Sequence, residues 1–254
     1  MIRNLKVTLA YDGSDFSGWQ IQPGRATIQG ALACAIGRVT GENVLPQGSG
    51  RTDAGVHALA QVATFATSSP IPAENLVRAL NDALPPSIRV REAVEVATGF
   101  HARKSARAKT YCYRMFRGPI CPPFLARYVW HFPYPLDEEL IKGAAGLVTG
   151  KHDFSSFAAV DPEADRQPDA EISKVRTIFS SSWERDGEEF IYYVRGDGFL
   201  HHMVRNLVGT FVLVGKGTLR GEDILRILAA RDRSAAGATA PASGLCLVSV
   251  EYVP

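Results

Sequence analysis

One stretch of helical recurrence lies between two stretches of strand recurrence, and this limits the fold more than any other feature of the chain. Ile28, Ala31, Leu32, Ala35, Ile36 and Val39 recur at i, i+3, i+4, i+7, i+8 and i+11, which is one face of an α-helix. Thr27 stands where an N-cap belongs, and Gly41 lies just past the end. Upstream, residues 4–11 alternate, with Leu5, Val7 and Leu9 set against Lys6 and Thr8. Downstream, QVATFAT at 61–67 reads as a strand.

The pattern continues along the chain. A helix is predicted over 74–84, with Leu76, Val77, Leu80 and Leu84 on one side and Pro85-Pro86 as its stop. Residues 88–96 read as a strand, as do TYCYRMF at 110–116 and YVWHF at 128–132. A helix started by Asp137 is expected over 137–148, then strands near 173–184 and 188–195. Leu200, Met203, Val204, Leu207, Val208 and Phe211 mark an amphipathic helix, Ile224–Ala230 another, and 245–253 a last strand. The expected class is α+β, two similar α/β halves with mainly antiparallel sheet. The halves are 1–105 and 106–254.

Composition agrees with a packed fold. The chain has 254 residues, 46% of them hydrophobic and 21% charged, which excludes disorder, collagen and coiled coil. No apolar run approaches the roughly 18 residues of a membrane span. The N-terminus enters its strand pattern without the apolar core of a secretory signal, so a cytoplasmic protein is expected. Cys34, Cys112, Cys121 and Cys246 form no C-x-x-C pair. They are read as buried, inert thiols, with neither a disulfide framework nor a zinc site.

The net charge of +2 hides an uneven distribution. From Val96 to Leu136 there is no acidic residue, while Arg103, Lys104, Arg107, Lys109, Arg114, Arg117 and Arg127 interleave with Tyr111, Tyr113, Phe116 and Tyr128. Cations neutralise phosphates and aromatic faces stack on unpaired bases. A solvated positive face beside strand aromatics has the same pattern. The acidic, proline-bearing run at 161–171 reads as an exposed loop.

GSGRTDAGVHALAQVATF at 48–65 carries the most chemistry. Glycines 48, 50 and 55 bracket one carboxylate, Asp53, with Arg51 two residues away. Such an aspartate either caps its own turn by accepting backbone N–H groups, or serves as nucleophile or general base held by a cation. A second cation, Arg205, lies off the apolar stripe of GFLHHMVRNLVGT, one turn after His201. Adjacent helical residues diverge by about 100°, so His201 and His202 on a helix would not readily share one ion. Tyr111 and Tyr113 would share one face of a strand.

Together these segments resemble the TruA-type tRNA pseudouridine synthases. The resemblance runs in order through YDGSDFSGWQ (11–20), GRTDAGVHA (50–58), NDALPPSI (81–88), FHAR (100–103), TYCYR (110–114), GKHDFSSF (150–157), FLHHMVRNLVGT (199–210) and APASGLCLVSVEY (240–252). GRTDAGVHA is the most specific of them. Lys104 stands where the family has an aromatic after FHAR, and Cys246 where it often has Tyr.

The resemblance implies the pseudouridine synthase fold and isomerisation of uridine to pseudouridine at nucleotides 38, 39 and 40 of the tRNA anticodon arm. It makes Asp53 the catalytic aspartate, Tyr111 the tyrosine packed on the target base, Arg205 the partner of the aspartate, and Arg51 the arginine beside the flipped nucleotide. His57, Gln61 and Leu245 fall in matching motifs without an assigned role. Arg103, Lys104, Arg107 and Lys109 are the expected phosphate contacts. No cofactor and no metal are expected, tRNA is the partner, and a homodimer is implied. Two other classes compete on the residues alone. A non-catalytic RNA-binding or folding factor would leave the GRTDAG loop unexplained. A glycosidase or nucleoside hydrolase would want two facing acids, where this loop offers only Asp53.

Overall fold

A computed structural model of the chain describes residues 2–160 and 173–253. The acidic run at 161–171 lies outside the described residues. The chain forms two compact units, one of residues 1–109 and 246–254, the other of residues 110–245. Against the expected halves, the division falls slightly later, and the last residues join the first unit.

In the first unit, β1 (Arg3–Tyr11) is central. It pairs antiparallel with β3 (His57–Thr67), where Leu5 faces Phe65 and Val7 faces Ala63, and antiparallel with β4 (Ile88–Val96). The short β2 (Gln47–Gly48) adds to β3, and β10 (Leu245–Tyr252) lies parallel to β3, with Cys246 opposite His57. The alternation read in residues 4–11 is visible as burial: Leu5, Val7 and Leu9 are sealed. Helix α1 (Ile28–Thr40) has Thr27 Oγ1 accepting from the Gly30 N–H and ends at Gly41, φ +75°. Its Ile28, Leu32 and Ile36 join the core. Helix α2 (Ala73–Ala83) docks on β4. Asn81 fixes that docking, its amide donating to the Val90 carbonyl and its oxygen accepting from the Val90 N–H, both at 2.8 Å.

The second unit has strand order β5-β9-β8-β7. These are β5 (Ala106–Phe116), β7 (Gly150–Asp153), β8 (Val175–Asp186) and β9 (Glu189–Gly196). β8 and β9 form an antiparallel hairpin, and β7 is antiparallel to β8. The predicted strand at 128–132 shrinks to β6 (Trp130–His131). A turn closed by the Tyr128 N–H on Leu125 O precedes it, and Arg117 holds the carbonyls of Phe132 and Tyr134 after it. Helix α3 (Glu138–Gly146) is capped by Asp137, as its sequence requires, and packs on α4 (Met203–Gly215). Beneath α4, Trp183 stacks on Phe190 and Tyr192, and Phe211 meets both Trp183 and Tyr192 edge-on. Helix α5 (Asp223–Ala230) follows, buried through Ile224, Ile227 and Leu228.

Two expectations need correction. Helix α4 begins at Met203, because His202 adopts φ +59°, so Leu200, His201 and His202 precede the helix. The two histidine rings then lie 4.0 Å apart, and divergence along a helix does not describe them. Of the cysteines only Cys112 is buried; Cys34 is exposed, because it falls on the outer face of α1, and Cys121 and Cys246 are half-buried. No described helix is long and apolar enough to cross a membrane.

Candidate active site

Asp53 opens a tight turn in which the Val56 N–H donates to the Asp53 carbonyl at 3.1 Å. Gly55 takes φ +79° in that turn, a conformation that favours glycine. The 11–20 motif presses on this loop from both ends. A Cβ on Gly13 would stand 2.0 Å from the Val56 carbonyl oxygen, and one on Gly18 2.6 Å from that of Thr52. Contact this close excludes any side chain at either glycine. Backbone bonds follow from it: Trp19 N–H to Thr52 O at 3.0 Å, and Gly55 N–H to Phe16 O at 3.3 Å. The Tyr11 hydroxyl shares a 2.8 Å hydrogen bond with Thr52 Oγ1. Burial pushes the Tyr11 phenol well above its ordinary range, with hydrogen bonds to Thr52 and Gln61 pulling the other way, so it stays neutral. His57, buried just after the loop, accepts the Gly13 N–H on Nδ1 at 3.1 Å and lies 3.3 Å from Asp12.

The leg before Asp53 is tied as firmly. Ser49 is sealed, and its hydroxyl donates to Gln61 Oε1 at 2.6 Å. Gln61 Nε2 donates in turn to the Gly50 carbonyl at 3.1 Å. Lys109 Nζ donates to the Ser49 carbonyl at 2.7 Å. Asp53 itself is half-buried. Arg51 is exposed and points its Nε at Gln20 Oε1, 3.2 Å away.

The acid-free stretch does not survive as one positive face. Arg114 forms a two-pronged pair with Glu189, both contacts at 2.6 Å, and Arg117 meets Glu138 at 3.4 Å. Acids from distant sequence thus absorb Arg114 and Arg117. The earlier half stays open. His101 Nδ1 accepts the N–H groups of Arg103 and Lys104, making a turn that leaves both side chains exposed, and Arg107 is exposed as well. Lys109 differs from those three, being half-buried and bonded to Ser49.

In the second unit, Tyr111 is buried with its ring edge-on to Phe199, centroids 5.0 Å apart. Tyr113 is sealed and donates its hydroxyl to the Pro241 carbonyl at 2.8 Å. Burial pushes the Tyr113 phenol well up, opposed by the nearby charge of Arg205. Arg205, half-buried, is seated through both backbone and side chain. Its Nε donates to Ala240 O at 2.8 Å, and its carbonyl accepts the Ala240 N–H at 3.2 Å. Taken one by one, Tyr11, Gly13, Trp19, Ser49, Thr52 and Ala240 carry no sign of these parts in the sequence alone. The usable signal was a run of glycines and polar residues placed directly after β1, where a surface turn would not need two glycines and a tryptophan.

The family model for tRNA pseudouridine synthase matches residues 8–103 and 144–253. The chain belongs to the tRNA pseudouridine synthase family. A tRNA pseudouridine synthase A of Solibacter usitatus is 54% identical over 99% of this chain and 100% of its own length. Those of Moorella thermoacetica and Brevibacillus brevis are 48% and 44% identical, with 98% and 99% of this chain covered and 99% and 100% of theirs.

Proposed function

We propose that this protein isomerises uridine to pseudouridine at nucleotides 38, 39 and 40 of the tRNA anticodon arm. The observation that carries the reading is the loop at 49–56. It holds a half-buried carboxylate on backbone fixed from both sides, in a chain of this family. The N1–C1′ bond breaks, the uracil turns, and C5 bonds to C1′. C5 gives up its hydrogen and N1 gains one, so nothing is oxidised and no water is consumed. Asp53 acts on the ribose, by attack at C1′ or by removal of the C2′ proton.

Each other residue answers a demand of that chemistry. A carboxylate that attacks carbon or takes a proton needs a cation as its counterpart, the role assigned to Arg205. The reacting atoms of a stem nucleotide are reached only after it leaves the stack, at a cost of a few kcal/mol. Stacking on Tyr111 and the side chain of Arg51 offset that cost. Arg103, Lys104 and Arg107 meet phosphates. The enzyme works in the cytoplasm as a homodimer, each tRNA lying across both subunits, which concentrates charge that one chain lacks.

The test is to incubate unmodified tRNA transcripts with the protein and map pseudouridine by chemical sequencing. Modification at the three nucleotides is expected. Free uracil in its place would mean hydrolysis, and neither product would leave an RNA-binding role. In Tyr111→Phe, stacking survives and the rate falls through lost proton handling; an unchanged rate leaves Tyr111 as packing.

A further inference from the structure

We propose that Lys109 is a positioning residue for the Asp53 loop and not an anchor for tRNA phosphate. The inference rests on the function proposed above and concerns how that site is held. Lys109 lies in the basic stretch, yet its ammonium is turned inward to the Ser49 carbonyl at 2.7 Å, while Arg103, Lys104 and Arg107 face solvent. A bond from a charged donor is among the stronger hydrogen bonds. Its target is the first fixed point of the leg that leads to Asp53.

The slot is small. A Cβ on Gly50 would come within 2.9 Å of Lys109 Nζ, so the ammonium fills the space that glycine leaves. A planar guanidinium is wider and presents its donors in a fixed fork, so Lys109→Arg would have to crowd Gly50 or turn away from Ser49. Ser49 and Gly50 have a second tie, since Gln61 accepts the Ser49 hydroxyl and donates to the Gly50 carbonyl. The two ties act on adjacent peptide units, and together they fix the direction in which the loop leaves β2. Lys109 is also two residues before Tyr111 on the same face of β5.

The experiment compares Lys109→Met and Lys109→Arg with the intact protein on tRNA transcripts. It reads kcat, KM, the salt dependence of tRNA binding, and amide hydrogen exchange over 49–56. Positioning predicts faster exchange in that segment for both variants. It also predicts a fall in kcat of about 10- to 100-fold, the scale of small misplacements of a reacting group. KM and the salt slope should stay within about twofold, because no phosphate contact is touched. A phosphate anchor predicts the opposite: Lys109→Arg at the wild-type rate, and Lys109→Met with a shallower salt slope and unchanged exchange. Unchanged exchange in both variants would overturn the proposal. So would loss of the fold in both, which would make Lys109 a support of the whole unit. If the intact protein makes no pseudouridine, the proposed function fails, and the exchange over 49–56 still decides whether Lys109 holds the loop.

Discussion

The Asp53 loop and the seat of Arg205 differ in how much apolar packing holds them. Around Asp53 the restraints are polar and local: glycine contacts with the 11–20 motif, and hydrogen bonds from Trp19, Gln61, Lys109 and Tyr11. Around Arg205 the two hydrogen bonds to Ala240 stand on a helix that is held mostly by apolar packing. Met203, Val204, Leu207, Val208 and Phe211 of its helix are buried, and the 237–241 segment lies directly on the helix backbone. Damage near Asp53 should therefore appear first in rate, and damage near Arg205 first in stability.

The largest effect is expected where the carboxylate itself is removed. Asp53→Asn keeps the shape of the side chain and every backbone tie of the loop. Pseudouridine formation should fall by at least about 10³-fold, as when a nucleophile is removed. tRNA affinity and Tm should hardly move. Full activity in this variant, measured by single-turnover kinetics, would remove Asp53 from the chemistry and with it one side of the comparison.

The opposite extreme is Gly209→Ala. A Cβ there would stand 1.8 Å from the Ala238 carbonyl oxygen, a contact with backbone that no rotamer relieves. Overpacking of this kind costs about 1–3 kcal/mol, occasionally more. Urea denaturation should show the loss. The rate of the fraction still folded should change far less than it does in Asp53→Asn. A stable Gly209→Ala protein with a collapsed rate would mean that the Arg205 seat is tuned as locally as the loop.

Between these lies Tyr11→Phe, which removes the hydroxyl bonded to Thr52 and Gln61 beneath the loop and leaves the ring packed. Stability should drop by about 0.5–1.5 kcal/mol, the usual net worth of such a bond. kcat should drop several-fold while KM holds. Stability and rate falling in the same proportion would place Tyr11 with the core and not with the loop.

The sequence made elements legible where the period was long and the caps were explicit. Thr27 and Gly41 bound α1, and Asp137 starts α3, because capping is decided within one turn of chain. It misread the start of α4, since apolar Leu200 extends the helical spacing while the left-handed His202 breaks it. A single backbone angle leaves no mark on apolar periodicity. Asp53 and Arg51 stood out because few residues can occupy a glycine-bracketed loop. The supports of that loop did not, because Tyr11, Trp19 and Lys109 reach it from distant sequence and Gln61 looks like any polar residue of a strand. Nor could the linear charge pattern show that Glu189 and Glu138 would absorb Arg114 and Arg117.

The smallest effect expected belongs to the cations left over after that pairing. Arg103, Lys104 and Arg107 are exposed, and the first two are splayed by a turn whose N–H groups are held on His101. Each phosphate neutralised adds roughly 0.7–0.9 to the slope of log affinity against log salt. Replacing all three cations with Gln should flatten the slope by about three such increments and weaken binding at low salt. kcat at saturating tRNA should stay almost unchanged. Because the turn is built from backbone and His101, the substitutions leave its geometry alone, so a fall in kcat could not be blamed on a displaced loop. An unchanged slope would move the phosphate path to other cations, and would leave this turn as a structural element like those that support Asp53.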